Sequence, residues 1–146
     1  QSRSSAASDV YKRQGHELAS VRDGVLATTA GERLTLESSL DSSSPRFFLR
    51  AQTAAGEDFS VTQAGITVTR LRATCADREY LLERRNPFRR ERRIVARGTG
   101  AEVASTAPAG DGLRVSVGVG ELPELDAIFL SYACALLDAT PRTLRT

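Results

Sequence analysis

The densest chemistry in this chain lies at residues 84–93, RRNPFRRERR, where Arg84, Arg85, Arg89, Arg90, Arg92 and Arg93 surround an Asn86-Pro87 turn. Guanidinium forks match phosphate oxygens in both charge and geometry. A basic patch beside an aromatic such as Phe88 could seat an anionic lipid headgroup or a nucleic acid. The competing reading is a solvated hairpin tip whose arginines are paired with Glu79, Glu83 and Glu91. Alternate residues of a hairpin face opposite sides, so at most about half of the six can converge on one surface. An anion site therefore requires Arg85, Arg89 and Arg90, nearest the tip, to point together, unpaired by Glu83 or Glu91.

Other chemistries find little material. Gly98-Thr99-Gly100 follows a strand-like run, but Val103 occupies the third glycine position and Pro108 leaves no room for a helix. Gly118-Val119-Gly120 precedes a helix-like run with no strand after it. A dinucleotide site needs the whole β-α-β unit. The single histidine, His16, cannot complete a zinc set or a convincing Ser–His–Asp arrangement. Cys75 and Cys134 lack C-x-x-C spacing, and Cys134 sits in an apolar run, where a cysteine behaves as a small hydrophobe. No catalytic residue, metal or cofactor is therefore expected.

These residues must be positioned by short strands. Leu113, Val115, Val117 and Val119 alternate with Arg114, Ser116 and Gly118, and Leu34, Leu36 and Leu40 sit in a similar pattern. Period two with one apolar face predicts half-buried strands. Further strands are expected at 24–29, 46–53, 57–63, 65–73, 78–84, 92–97 and 101–106. Turn residues recur between them: Asp23-Gly24, Ala30-Gly31, Ala55-Gly56, Ala64-Gly65, Gly98-Thr99-Gly100 and Asp111-Gly112. Segment 41–45, DSSSP, is the one loop of low complexity. This spacing predicts an antiparallel meander, and hence a sandwich or barrel.

After Gly120 the period changes. Pro123 suits a first helical position, and Glu121, Glu124 and Asp126 bring negative charge to the positive end of a helix dipole. Ile128, Phe129, Leu130, Tyr132, Ala133, Cys134, Leu136 and Leu137 then point in every direction around a helix over about 123–138. A helix apolar on all sides must be buried on all sides. A sheet closed into a barrel around it would achieve that. Pro141 stops the helix and Arg142 complements its C-terminal dipole. The uncharged run 127–137 spans eleven residues, well short of the roughly twenty a membrane helix needs.

The front of the chain is foreign to this pattern. Residues 4–14, SSAASDVYKRQ, are identical to the translation of a transposase sequencing adaptor. Such segments are excluded from fold reasoning. Residues 1–14 are therefore expected to be disordered and unpaired, with the true N-terminus lost upstream and a single domain over 15–146. The chain carries 20 basic and 18 acidic residues for a net charge of +2. Removing Arg3, Lys12, Arg13 and Asp9 leaves a neutral domain whose cations are all arginine. That neutrality argues against nucleic acid as the partner. Its arginine, alanine and glycine usage matches the coding bias of a high-GC bacterial genome.

A β-meander, a Gly-rich turn and an all-apolar C-terminal helix together resemble the tubby, phospholipid-scramblase and LURP-one-related superfamily. The stretch that carries the resemblance is 78–138, from REYLLERRNPFRRERRIVARGTGAEVAS to GLRVSVGVGELPELDAIFLSYACALLD. The resemblance implies a closed barrel around a buried helix. It also implies more strands than are countable here, so that the start of the barrel would be missing. Lipid-binding members use a basic groove built partly from lysines; residues 15–146 have none, and no ligand position carries over. The expected protein is a non-enzymatic, mostly β module in a bacterial cytoplasm, associated with a membrane, holding an anionic lipid or other ligand at its surface. The alternative is a structural or protein-interaction module with no ligand, and an enzyme ranks third.

Overall fold

The computed structural model describes residues 8–13, 16–39, 46–86, 89–109, 112–117 and 122–139. Eleven strands form one antiparallel sheet in strictly sequential order. They are β1 (Ser8–Arg13), β2 (His16–Arg22), β3 (Val25–Thr28), β4 (Arg33–Ser38), β5 (Phe48–Thr53) and β6 (Asp58–Gln63), followed by β7 (Arg70–Cys75), β8 (Arg78–Arg84), β9 (Arg92–Ala96), β10 (Glu102–Ala109) and β11 (Gly112–Val117). Helix α1 (Glu124–Cys134) follows, and a π-helical turn (Ala135–Ala139) ends it. The sequence predictions at 41–45, Phe88, Gly118 to Gly120, Pro141 and Arg142 lie outside the described residues.

Period-two patterning decides which way each strand faces. Leu26, Leu34, Leu49, Phe59, Val61, Leu71, Leu82 and Ile94 are all essentially inaccessible and share the inner face. Removing a side chain of that size from water contributes roughly 1.5–3 kcal/mol. Tight hairpins fix the register. Asp23 (φ 54°) and Gly24 (φ 78°) form the two-residue turn from β2 to β3, with two successive positive φ values that suit the right-handed twist of the strands. The β7–β8 turn is less expected: Ala76 takes φ 58° there, and its N–H donates to the Asp58 carbonyl at 2.9 Å. Val103 is an extra residue between the Glu102–Val95 and Ala104–Ile94 pairs, so both Val103 and Ala104 turn inward.

Three expectations are corrected. The first concerns residues 8–13, which pair with β2 from Ser8–Arg22 to Arg13–His16 rather than standing apart. Without them β2 would be an edge with a row of unpaired backbone groups, and Val10 and Tyr11 are strand-favouring types that fill such an edge readily. The second concerns residues 65–69, which form a loop and not the start of a strand. Gln63 donates to the carbonyls of Gly65 (3.0 Å) and Ile66 (2.6 Å), and Arg46 donates to Gly65 at 2.9 Å. These bonds turn the backbone away from the ladder.

The third concerns closure. Among the described residues β1 and β11 each pair with one neighbour only, so the sheet is open and not a closed barrel. The helix is nevertheless enclosed. Asp126, Ile128, Phe129, Leu130, Ser131, Ala133 and Cys134 are buried over most of its circumference, Leu125, Tyr132 and Leu136 fill the remaining sector half-buried, and Leu137 is half-buried as well. Phe129 meets Phe59 of β6 edge-on with ring centroids 5.4 Å apart. The helix also packs on β11, and the π-helical turn on β10 and β11. Burying a helix needs only side chains within reach. Closing a sheet needs two edges in register about 4.8 Å apart. This sheet curls far enough for the first and not for the second. The helix begins one residue later than expected: Pro123 is the cap, and its carbonyl accepts the Ala127 N–H at 2.9 Å.

Candidate functional site

The register of β8 on β9 sorts the arginine cluster. Leu82 opposes Ile94 on the inner face, so Arg84 and Arg92, the next inward pair, also face inward, while Glu83 and Arg93 face out. Arg92 is fully buried, and its Nη1 reaches the Thr69 carbonyl at 3.5 Å. On the outer face Glu83 sits between two guanidiniums: Arg93 Nη2 at 3.1 Å and Arg70 Nε at 3.3 Å. Arg70 comes from β7, where it stands directly opposite Glu83. Arg85 pairs with Glu102, and its backbone N–H donates to the Glu91 carbonyl at 3.1 Å. Glu79 pairs with Arg97, away from the tip.

Thr69, Arg70, Glu83, Arg84, Arg85 and Arg93 line a groove of about 450 Å³. Three of the six sequence-predicted arginines, Arg84, Arg85 and Arg93, therefore come together there. Arg89, Arg90 and Arg92 are not in the lining. Arg89 is exposed at the tip, its N–H donating to the Asn86 carbonyl at 3.1 Å. The expected trio of Arg85, Arg89 and Arg90 is replaced by Arg84, Arg85 and Arg93 with Arg70. Arg70 was missed because it lies fourteen residues upstream of Arg84 and only strand pairing brings it near. Of the lining arginines, Arg70 and Arg93 share Glu83, Arg85 is paired with Glu102, and Arg84 faces inward. These ion pairs are partly exposed, and such pairs contribute about 0–1 kcal/mol each. An entering dianion can exchange with them at little loss.

A second polar cluster has a different character. Asp126, completely buried in the first turn of α1, accepts Nε (2.7 Å) and Nη2 (2.8 Å) of Arg78 and the hydroxyl of Tyr80 (2.5 Å). The sequence reading placed Asp126 as a dipole partner at the helix start. It stands in the first turn as expected, and it is also the anchor that ties the helix to β8. A cleft of about 870 Å³ opens beside it, lined by Arg78, Glu79, Tyr80, Arg97, Leu122 and Pro123 among others. Both arginines there are engaged by carboxylates, and Arg78 is held by a fully buried one.

The nearby chemistry is inert. Burial and the Asp126 charge push the Cys75 thiol well above its ordinary value, which removes the nucleophilic thiolate. Burial and the hydrogen bond to Asp126 push the Tyr80 phenol up as well. Cys75 and Cys134 are both buried free thiols. A thiol-labelling reagent is expected to modify neither cysteine at neutral pH until denaturant is added. The same shifts set an alkaline limit. Unfolded Cys75 and Tyr80 ionise from about 9.0 and 10.0, whereas the folded groups stay protonated. Above pH 9 the native state therefore binds more protons than the unfolded one, and stability falls as pH rises. Urea midpoints measured from pH 8 to 10.5 are expected to decline. A flat profile would contradict the burial of these groups.

Among the described residues no helix is long and apolar enough to cross a membrane, and no group of acidic, histidine and cysteine side chains is arranged to hold a metal. No family model, curated protein or solved structure matches the chain.

Proposed function

We propose that this chain is a non-catalytic β module that holds a phosphate-bearing anion, from a lipid headgroup or a soluble phosphate, in the groove between β7, β8 and β9. The observation that carries this reading is the pair of outward-facing guanidiniums, Arg70 and Arg93, that share the one carboxylate of Glu83 in a groove also lined by Arg85. Two cations facing one carboxylate keep a fixed excess of donors, and guanidinium donors suit phosphate oxygens. The inert thiol and buried phenol supply no nucleophile or base, which supports a binding role over a catalytic one. A tubby-like relationship belongs to the same proposal and is supported by the apolar helix enclosed within a meander. A site of action at the cytoplasmic face of a bacterial membrane follows from it.

The test replaces Arg70 and Arg93 with Gln together and measures binding of pyrophosphate and of phosphatidylserine vesicles. A hydrogen bond to a charged group is worth about 1.5–3 kcal/mol, so the double variant is expected to bind at least about tenfold more weakly. Binding by the parent should fall steeply as salt rises, because exposed charges more than about 10 Å apart are largely screened at 0.1 M. Loss in both arms identifies the shared phosphate chemistry, and loss in the vesicle arm alone identifies the lipid. Undiminished binding by the variant, or none by the parent, overturns the reading. Thermal stability is the control and should change little, since the pairs removed are exposed.

A further inference from the structure

A sequential antiparallel meander sends its connections alternately to the two ends of the sheet, and two neighbouring connections at one end are rich in arginine. The β6–β7 and β8–β9 connections lie at one end. With their flanking strand residues, 64–70 and 83–93, they hold seven arginines against Glu83 and Glu91. The connections β3–β4, β5–β6, β7–β8 and β9–β10 lie at the other end. Residues 29–33, 54–58, 76–79 and 97–102 hold six carboxylates and three arginines. The β6–β7 and β8–β9 connections thus form a local basic patch in a nearly neutral domain, with Arg85 reaching Glu102. The patch also carries Ile66, 94% exposed and the one large hydrophobic side chain left in water among the described residues. Its loop is not slack. Gln63 and Arg46 hold the carbonyls of Gly65 and Ile66, the hydroxyls of Thr67 and Thr69 bond at 2.8 Å, and Val68 packs on the core.

We propose that this end docks against an anionic lipid bilayer, with the arginines over the headgroups and Ile66 inserted at the hydrocarbon boundary. Charge complementarity selects the surface. A braced, solvated isoleucine beside a basic groove supplies the second, apolar contact that stable peripheral attachment requires. A nucleic acid would satisfy the arginines and leave Ile66 in water. The proposal rests on the anion-groove reading for its electrostatic half and is independent of it for Ile66.

The chain contains no tryptophan, so Ile66→Trp installs a single reporter. Its emission is expected to shift to the blue with phosphatidylcholine vesicles containing phosphatidylserine, and not with phosphatidylcholine alone. Ile66→Ser is expected to reduce co-sedimentation with the anionic vesicles about tenfold while leaving pyrophosphate binding unchanged. Emission that stays unshifted, or an Ile66→Ser variant that sediments like the parent, overturns bilayer docking. Binding of a labelled RNA homopolymer, read by its anisotropy, with no blue shift on anionic vesicles also overturns it, in favour of nucleic acid. If the blue shift persists while the parent fails to bind pyrophosphate, the groove reading falls and the docking reading stands.

Discussion

Replacing Arg78 with Leu is expected to destabilise the domain by about 3–5 kcal/mol, because it strands a buried carboxylate. Asp126 has no access to solvent, and two of its three hydrogen bonds come from that one guanidinium. Only the Tyr80 hydroxyl would remain. The reverse change, Asp126→Asn, is expected to be milder, about 1–2 kcal/mol. The Arg78 side chain is 41% exposed and can turn to water, and an Asn oxygen can still accept from Tyr80. Urea denaturation of the two single variants and the double variant closes the cycle. The double Arg78→Leu, Asp126→Asn variant should recover part of the loss. If Arg78→Leu proves no worse than Asp126→Asn, the carboxylate is better solvated than its geometry indicates.

The second large effect lies one helical turn further on. Phe129→Ala is expected to lower stability by about 3–5 kcal/mol, the range for truncating an enclosed aromatic. Phe129 is fully buried and packs edge-on against Phe59, itself 1% exposed, so little of the resulting void can be filled by local movement. Phe129→Leu should recover most of the loss by keeping the volume. Domains of this size are stable by only about 5–15 kcal/mol, so the alanine variant should show a much lower midpoint or fail to fold. A variant with near-parent stability would mean that the helix is not enclosed.

These two residues mark what was legible. Phe129 sits in a run that is apolar in every direction, and that pattern alone requires enclosure. The strands after Gly24 were legible for a similar reason: alternation and Gly-bearing turns are local, and the chain follows them in sequential order. The Arg78–Asp126 tie was not legible, because forty-eight residues separate its partners and each alone looks like an ordinary surface charge. Arg70 was hidden in the same way, across a strand pairing. The β7–β8 turn itself was not announced, since nothing in an Ala-Asp pair signals a positive φ, although a strand was expected on either side of it. β2 was hidden because its described inward residues, Ala19 and Val21, are small. Openness was beyond any local pattern. Whether β1 meets β11 depends on curvature summed over eleven strands, which no window of residues encodes.

The sequential order of the sheet also dictates how the molecule must be assembled. Each strand pairs with the one made just before it, so the meander can zip up hairpin by hairpin as the chain is synthesised, with short loops and little entropy lost per closure. The helix that fills the concave face is made after every strand of the sheet. Until it arrives, Leu26, Leu34, Leu49, Phe59, Val61 and Leu71 line a surface with nothing to cover it. A nascent chain therefore passes through a stage in which nearly all its backbone is paired and much of its apolar surface is wet. That stage, rather than the finished domain, is where aggregation or chaperone capture would act.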